Sequence, residues 1–146
     1  MNCVPAHLRA TQANKIRDLR RALFCAGVRS LDEQAAALDL PRSTTWAVLQ
    51  GNHKCSGLRA ALVARMWHSP MLPPAVRRVL ADYVIEKSRG AYGHTKEMCR
   101  RFIAQFEKFS NLDLATVMQQ HGATGDESMS ALPPEADIRR RQWHVR

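Results

Sequence analysis

Aromatic residues and long apolar runs are scarce in this chain. Aromatics make up 6% of the 146 residues although the hydrophobic fraction is 45%, a balance typical of a helical protein rich in Ala and Leu. No apolar stretch reaches the roughly 18 residues that a transmembrane helix needs. The first residues mix Pro5, His7, Arg9 and Gln12 and lack the basic-then-apolar order of a signal peptide. We therefore expect a cytoplasmic protein that does not bind a membrane.

Closely spaced cysteines are also missing. The four cysteines stand at positions 3, 25, 55 and 99, whereas a disulfide framework or a zinc site usually shows paired spacing. His53 and Cys55 are the nearest potential ligands, but one intervening residue is not the usual ligand spacing. The sequence contains no glycine-rich phosphate loop and no paired nucleophile and base. These absences predict reduced thiols, no metal, no cofactor and no enzymatic activity.

Acidic residues are few relative to basic ones. Lys and Arg number 22 against 13 Asp and Glu, which gives a formal net charge of +9. Residues 1–30 contain six basic residues and one acidic residue, and residues 61–110 contain nine and four. In residues 31–60 the two kinds are equal in number. A basic surface attracts phosphate polymers or anionic lipid. Binding to a membrane surface is disfavoured because the apolar helix stripes are needed for the core. The charge alone does not identify the partner, because many proteins of other functions are also basic.

The hydrophobic pattern is helical almost throughout, without the two-residue alternation of strands. It predicts a first helix from about Asn14 to Ala26 and a third from Arg42 to Gln50. The other predicted helices begin at caps or at a proline, at Ser30, Ser56, Pro74 and Thr95, and a short one lies near 113–120. The predicted inward residues of the later helices are Leu58, Ala61, Leu62, Met66, Val76, Val79, Leu80, Tyr83, Val84, Cys99, Phe102, Ile103 and Phe106.

These elements predict four segments. A flexible N-terminus covers 1–13, a compact helical domain covers 14–88, a helical extension covers 89–121 and a disordered tail covers 122–146. The tail is assigned from its composition, because it has too few apolar residues to offset the entropy of ordering. The apolar side of the sixth helix, with Phe102 and Phe106, is interpreted as core, and a homodimer interface is the alternative.

The most informative segment is Ser30 to Gly51, "SLDEQAAALDLPRSTTWAVLQG". It fits two short helices joined by a tight turn, in which the first supports the second. Ala35 supplies a small residue for the helix crossing, and Asp39 tolerates the positive φ that the turn needs. Leu40 follows as an apolar plug. The second helix offers Val48 as its best inward residue, with Thr45 and Leu49 as lesser ones.

This segment resembles the lambda-repressor-like family of helix-turn-helix regulators. Arg42-Ser43-Thr44 is similar to the family's usual opening of the recognition helix, and Gly51 matches its closing glycine. The resemblance implies an all-α fold with a compact five-helix domain, here followed by one or two additional helices. The chain departs from the family pattern at Gln34 and Thr45, where apolar residues are usual, and at Asp39, where glycine is usual.

The resemblance also implies a function, namely sequence-dependent binding of double-stranded DNA by a bacterial transcription regulator associated with the nucleoid. An Arg can bind guanine through two hydrogen bonds, and small side chains can contact a thymine methyl group. The alternative is an adaptor or antitoxin-like module that keeps the fold without base recognition. Trp46 is interpreted equally well as a packing residue or a DNA contact. The implied base-facing residues are Arg42, Ser43, Thr44 and Ala47, with Trp46 at the rim of that face, and the expected phosphate contacts are Gln50, Asn52 and Lys54. Arg17, Arg20 and Arg21 can add charge from the first helix, and a solvated helix face is the alternative for them.

The motif makes a specific packing prediction. We expect Ala35, Leu38, Leu40 and Val48 to be buried together, with Arg42 and Ser43 exposed on one face. Covering of these two polar residues by the chain's own helices would exclude a role in base recognition.

Overall fold

A computed structural model describes residues 5–51 and 57–122, and these residues form helices joined by turns. The all-α class is therefore confirmed for the described part of the chain. No helix within these two ranges is long and apolar enough to cross a membrane. The helices are α1 (Ala6–Cys25), α2 (Leu31–Leu38), α3 (Arg42–Leu49), α4 (Ala60–Trp67), α5 (Pro74–Ser88), α6 (Lys96–Ser110) and α7 (Leu114–Val117), and a π-helical turn (Met118–Gly122) follows.

Local signals in the sequence set several helix ends. Pro74 occupies the first turn of α5 as predicted, where its missing N–H costs no hydrogen bond. The Thr95 side chain caps α6 by accepting a hydrogen bond from the Met98 N–H at 3.2 Å. Asn111 ends α6 with a φ of 58°. The predicted cap Ser56 lies outside the described residues, and Arg59 stands at the N-cap position of α4.

The core is shared by nearly all helices. α5 packs against α1, and α6 packs against α4, where Trp67 meets Phe106 edge to face at 6.5 Å between ring centroids. Phe102 and Phe106 are buried, so their interpretation as core is confirmed, while Ile103 is only half-buried. Leu19, Phe106 and Val117 belong to one hydrophobic cluster, so the helices of the predicted extension 89–121 contribute to the same core as α1.

The structure corrects two sequence predictions. The first helix begins at Ala6 instead of Asn14, so residues 6–13, which the sequence assigned to the N-terminal segment, are helical. Buried Gln12 explains the longer helix, because its side chain is a hydrogen-bond partner inside the core. In α4, Ala61 is exposed and Leu62 half-buried, because the helix turns Ala60, Val63, Ala64, Met66 and Trp67 inward.

A buried polar network joins α1, α5 and the segment before α4. The Tyr83 hydroxyl donates to Gln12 Oε1 at 2.9 Å and accepts from the Leu58 N–H at 2.8 Å. Lys87 Nζ donates to the carbonyl oxygen of Leu58 at 2.8 Å. Gly57 makes this approach sterically possible: its φ is +71°, and a Cβ there would overlap Gln12 Oε1 and come within 2.6 Å of the Tyr83 oxygen. Backbone and side chains thus fit together only with glycine at this position.

Tyr83→Phe should lower the free energy of unfolding by about 1–3 kcal/mol, because it leaves the buried Leu58 N–H and Gln12 side chain without this partner. Urea unfolding measures the change. Tyr92→Phe is the matched control, since it also removes one hydroxyl, here one that bonds half-buried Glu86. Because Glu86 can turn to water, the control should lose less. Equal losses in the two variants would contradict the importance of the network.

Stability should rise with pH between about 8 and 10 and fall above that. Burial lowers the pKa of Lys87 to about 8 from its ordinary 10.5, so in this interval the unfolded chain binds more protons and the folded state gains about 2 kcal/mol. Burial also raises the pKa of Tyr83 and Tyr92, so their ionisation in the unfolded chain destabilises the fold above about pH 10. Urea midpoints across this range test the prediction, and Lys87→Met should abolish the rise.

Candidate nucleic-acid interface

The start of α2 is fixed by the capping box that the sequence predicts. Ser30 Oγ accepts a hydrogen bond from the Glu33 N–H at 3.1 Å. Glu33 Oε1 in return accepts from the backbone N–H groups of Ser30 at 3.1 Å and Arg29 at 3.3 Å. These backbone hydrogen bonds lower the pKa of Glu33 below its ordinary value, because they favour the charged carboxylate. The entry of the chain into α2 is therefore well defined.

The turn between α2 and α3 has a left-handed residue at Asp39. Asp39 has a φ of 55° in the left-handed region, as predicted. The Leu40 N–H donates to the carbonyl oxygen of Ala35 at 3.0 Å, and the Leu40 side chain is buried. Arg65 of α4 lies 3.6 Å from the Asp39 carboxylate. The turn thus sets the angle between α2 and α3. The ion pair between Asp39 and Arg65 connects the turn with α4.

The predicted packing cluster is confirmed at three of its four positions. Leu38, Leu40 and Val48 are buried, whereas Ala35 is half-buried. The inward face of α2 is centred on Gln34, Ala37 and Leu38, so Ala35 falls about 100° away from Gln34, at the edge of that face. The two helices pack together through these residues. Relative to the prediction, α2 is rotated slightly about its own axis.

Gln34 and Thr45 stand where the lambda-repressor-like pattern usually has apolar residues. Both are buried and have hydrogen-bond partners. Thr45 Oγ1 donates to the carbonyl oxygen of Pro41 at 3.0 Å. Gln34 Nε2 lies 3.4 Å from the carbonyl oxygen of Val28 and 3.5 Å from that of Arg29. Because buried polar groups are costly mainly when they lack partners, these departures are compatible with a tightly packed helix pair.

One side of α3 faces outward. Arg42, Ser43, Trp46 and Gln50 are exposed, and their spacing places them within about 100° around the helix. Arg42, Ser43 and Trp46 line a shallow depression together with Leu31 of α2, and Trp46 is 50% exposed. The opposite side buries Thr45, Val48 and Leu49. Thr44 and Ala47 are half-buried at the flanks of the exposed stripe.

The structure adds Asp32 to this surface. Its carboxylate lies 3.3 Å from Arg42 Nε, and the two side chains are 77% and 68% exposed. An exposed ion pair of this kind contributes little to stability, but it biases the direction of the guanidinium group. The sequence contained one indication of this contact, because Asp32 is an acidic residue in the first turn of α2. The tight turn brings it beside Arg42, the first residue of α3.

The predicted DNA contacts on α1 do not join this surface directly. Arg17 Nη1 donates to Asn14 at 2.8 Å, and Arg21 lies 3.9 Å from Asp18, so each contacts its own helix. Arg20 is exposed on α1. Asn52 and Lys54 lie outside the described residues. The structure therefore brings together Arg42, Ser43 and Trp46, whereas the α1 arginines do not line the depression beside α3.

Comparison of the chain with protein-family models, curated proteins and solved structures gives no match. Within residues 5–51 and 57–122, no cluster of three or more His, Cys, Asp or Glu side chains is arranged to hold a metal ion. The candidate surface consists of a short helix with a buried side and an exposed polar and aromatic side.

Substitutions at Asp39 test the turn. Asp39→Gly should preserve or slightly raise stability, because glycine adopts positive φ without steric cost. Asp39→Val should lower the free energy of unfolding by about 1–2 kcal/mol, since a β-branched side chain is poorly tolerated in this conformation. Both variants lose the contact with Arg65, so their difference isolates the backbone. Thermal unfolding followed by circular dichroism measures it, and equal melting temperatures would contradict the assignment.

Proposed function

We propose that this chain binds double-stranded DNA in a sequence-dependent manner, as a transcription regulator that inserts α3 into the major groove. The observation that carries the proposal is the two-sided character of α3. Its inward residues are buried in the core, whereas Arg42, Ser43, Trp46 and Gln50 are exposed along one stripe. A helix that is fixed on one side and polar on the other has the arrangement needed for base recognition.

The size and chemistry of α3 suit the major groove. A helix with its side chains is about 10–12 Å across, which fits the major-groove width of about 12 Å. The Arg42 guanidinium can bind the two acceptors of guanine, while Ser43 and Gln50 can bond to several bases. Ala47, at the flank, can contact a thymine methyl group. Asp32 positions Arg42 in this scheme, because the carboxylate restrains one edge of the guanidinium.

Phosphate contacts would set the position of α3 along the duplex. Backbone N–H groups at the start of α3 can bind a phosphate oxygen. Asn52 and Lys54 follow α3 in sequence and are the proposed side-chain contacts near its end. Arg17 and Arg21 on α1 are exposed and can add long-range attraction. The formal net charge of +9 favours association with a polyanion.

A second candidate is a protein-interaction module. The observation that favours it is the depression between α2 and α3, which is lined by the apolar Leu31 and the half-exposed Trp46 beside Arg42. Tryptophan and arginine together are typical of the energetic centre of protein interfaces. In this case α3 would bind a partner protein and would show no preference among DNA sequences.

Selection of bound duplexes from a random pool, followed by salt titrations, tests the proposal. Arg42→Ala should cost about 1–3 kcal/mol on the selected duplex and flatten the preference at one base position. Lys54→Ala should weaken binding to selected and scrambled duplexes alike and reduce the salt slope by about one ion. Arg78→Gln, on the exposed surface of α5, controls for the general loss of one positive charge.

The ion pair with Asp32 requires a further control. Removing Arg42 leaves a carboxylate at the surface, and its repulsion of phosphate would exaggerate the loss of affinity. Comparison of Asp32→Ala, Arg42→Ala and the double variant separates this repulsion from lost base recognition. If no motif is recovered from the pool and no variant changes duplex affinity, DNA binding is excluded and the interaction module is favoured.

A further inference from the structure

The depression beside α3 combines one cation with apolar surface. It is lined by Leu31, Arg42, Ser43 and Trp46, and most of the surface that it exposes is apolar. Trp46 is 50% exposed, and Leu31 is half-buried. Five large apolar side chains are exposed within residues 5–51 and 57–122, and Trp46 is the one that belongs to α3. Half of the surface of this residue is therefore open to a ligand.

The ion pair of Arg42 leaves the outer edge of its guanidinium group accessible. The Asp32 carboxylate lies 3.3 Å from Nε, which is the guanidinium nitrogen nearest the backbone. The two terminal nitrogens carry most of the N–H groups and form the outer edge. Because both side chains are mostly exposed, the ion pair is weak and does not prevent this edge from binding two acceptors of one base. Guanine presents two such neighbouring acceptors, N7 and O6, in the major groove.

The spacing of Arg42 and Trp46 suits two neighbouring bases. The residues are four positions apart on α3, so they lie on one face of the helix, about 6 Å apart along its axis. Stacked bases of one strand are about 3.4 Å apart. A base next to the guanine is therefore within reach of the indole ring. If that base is a pyrimidine, a methyl group at its C5 position projects into the major groove, towards the apolar surface beside the guanidinium.

We propose that this depression binds the 5-methyl group of a pyrimidine next to the guanine that Arg42 contacts. The proposal rests on the proposed function of α3 and specifies which bases it recognises. Trp46 and Leu31 provide the apolar contacts. Ser43 can both donate and accept a hydrogen bond, so it is compatible with the O4 atom of thymine and with the amino group of cytosine. The ligand is therefore a 5-methylpyrimidine, which is thymine or 5-methylcytosine.

Removal of the methyl group from the DNA tests the subsite. The duplex selected from the random pool is prepared with thymine, deoxyuridine, 5-methylcytosine or cytosine beside the guanine whose preference is lost in Arg42→Ala. Deoxyuridine keeps every hydrogen-bonding group of thymine and lacks only the methyl group. The full chain should bind the thymine duplex about fourfold more tightly than the deoxyuridine duplex, a gain typical of one buried methyl group. The same replacement at a thymine outside the selected motif should leave the affinity unchanged.

Substitutions at Trp46 assign the effect to the depression. Trp46→Ala should abolish the difference in affinity between the thymine and deoxyuridine duplexes, whereas Trp46→Phe should keep most of it. The ratio of the two affinities is the readout, because a uniform loss of affinity or of folded protein does not change it. Both variants should retain the preference for guanine, since Arg42 is unchanged. Trp46 is half exposed, so both variants should keep the helical content, which circular dichroism checks.

The cytosine duplexes identify the source of the methyl group. If 5-methylcytosine and thymine both bind more tightly than their unmethylated counterparts, the chain recognises the methyl group on either base. If only one pair differs, the methylated base of that pair is the ligand. Equal affinities within both pairs, or a difference that persists in Trp46→Ala, would overturn the subsite.

Failure of the subsite is distinguishable from failure of the proposed function. A selected motif that has no pyrimidine beside this guanine, or that binds equally with and without the methyl group, excludes the subsite but leaves base recognition by Arg42 intact. If no motif is recovered from the pool, sequence-dependent DNA binding is itself excluded, and the subsite with it.

Discussion

The Tyr83 hydroxyl links parts of the chain that are distant in sequence. It bonds to Gln12 of α1 and to the backbone N–H of Leu58 before α4. Lys87, one helical turn further along α5, bonds to the carbonyl oxygen of Leu58. Because polar groups in a core are costly unless they are paired, these bonds restrict how the helices can be arranged. Together with the interlocking apolar side chains of α1 and α5, these bonds favour one register of the two helices.

The register of α1 along α5 determines which side chains of α2 and α3 are exposed. α3 packs against α2 and α1, and α1 is positioned by α5 through the network. The capping box at Ser30 and the left-handed turn at Asp39 then fix the short helices locally. The exposed stripe of α3 is thus supported from two directions, by long-range packing and by local hydrogen bonds. A site on rigid elements of this kind is better suited to discriminating between ligands than one on a loop.

Local features could be predicted from the sequence, and long-range ones could not. The cap at Ser30, the positive φ of Asp39 and the outward position of Arg42 follow from residue types at fixed spacing. The start of α1 was missed because a polar Gln12 gives no sign of burial until its partner is known. Lys87 was missed similarly: it continues the apolar stripe of α5 after Val84, but a lysine at such a position usually suggests the end of a stripe.

The distance along the chain between Gln12 and Tyr83 has a consequence for biosynthesis. The contacts of α2 with α3 join residues close in sequence, so this pair can form soon after it leaves the ribosome. The N-terminal half of α1, by contrast, gains its core partner only after α5 has been made, 71 residues beyond Gln12. During translation α1 is therefore made well before the part of α5 that secures it, and it stays accessible to chaperones and proteases until that time.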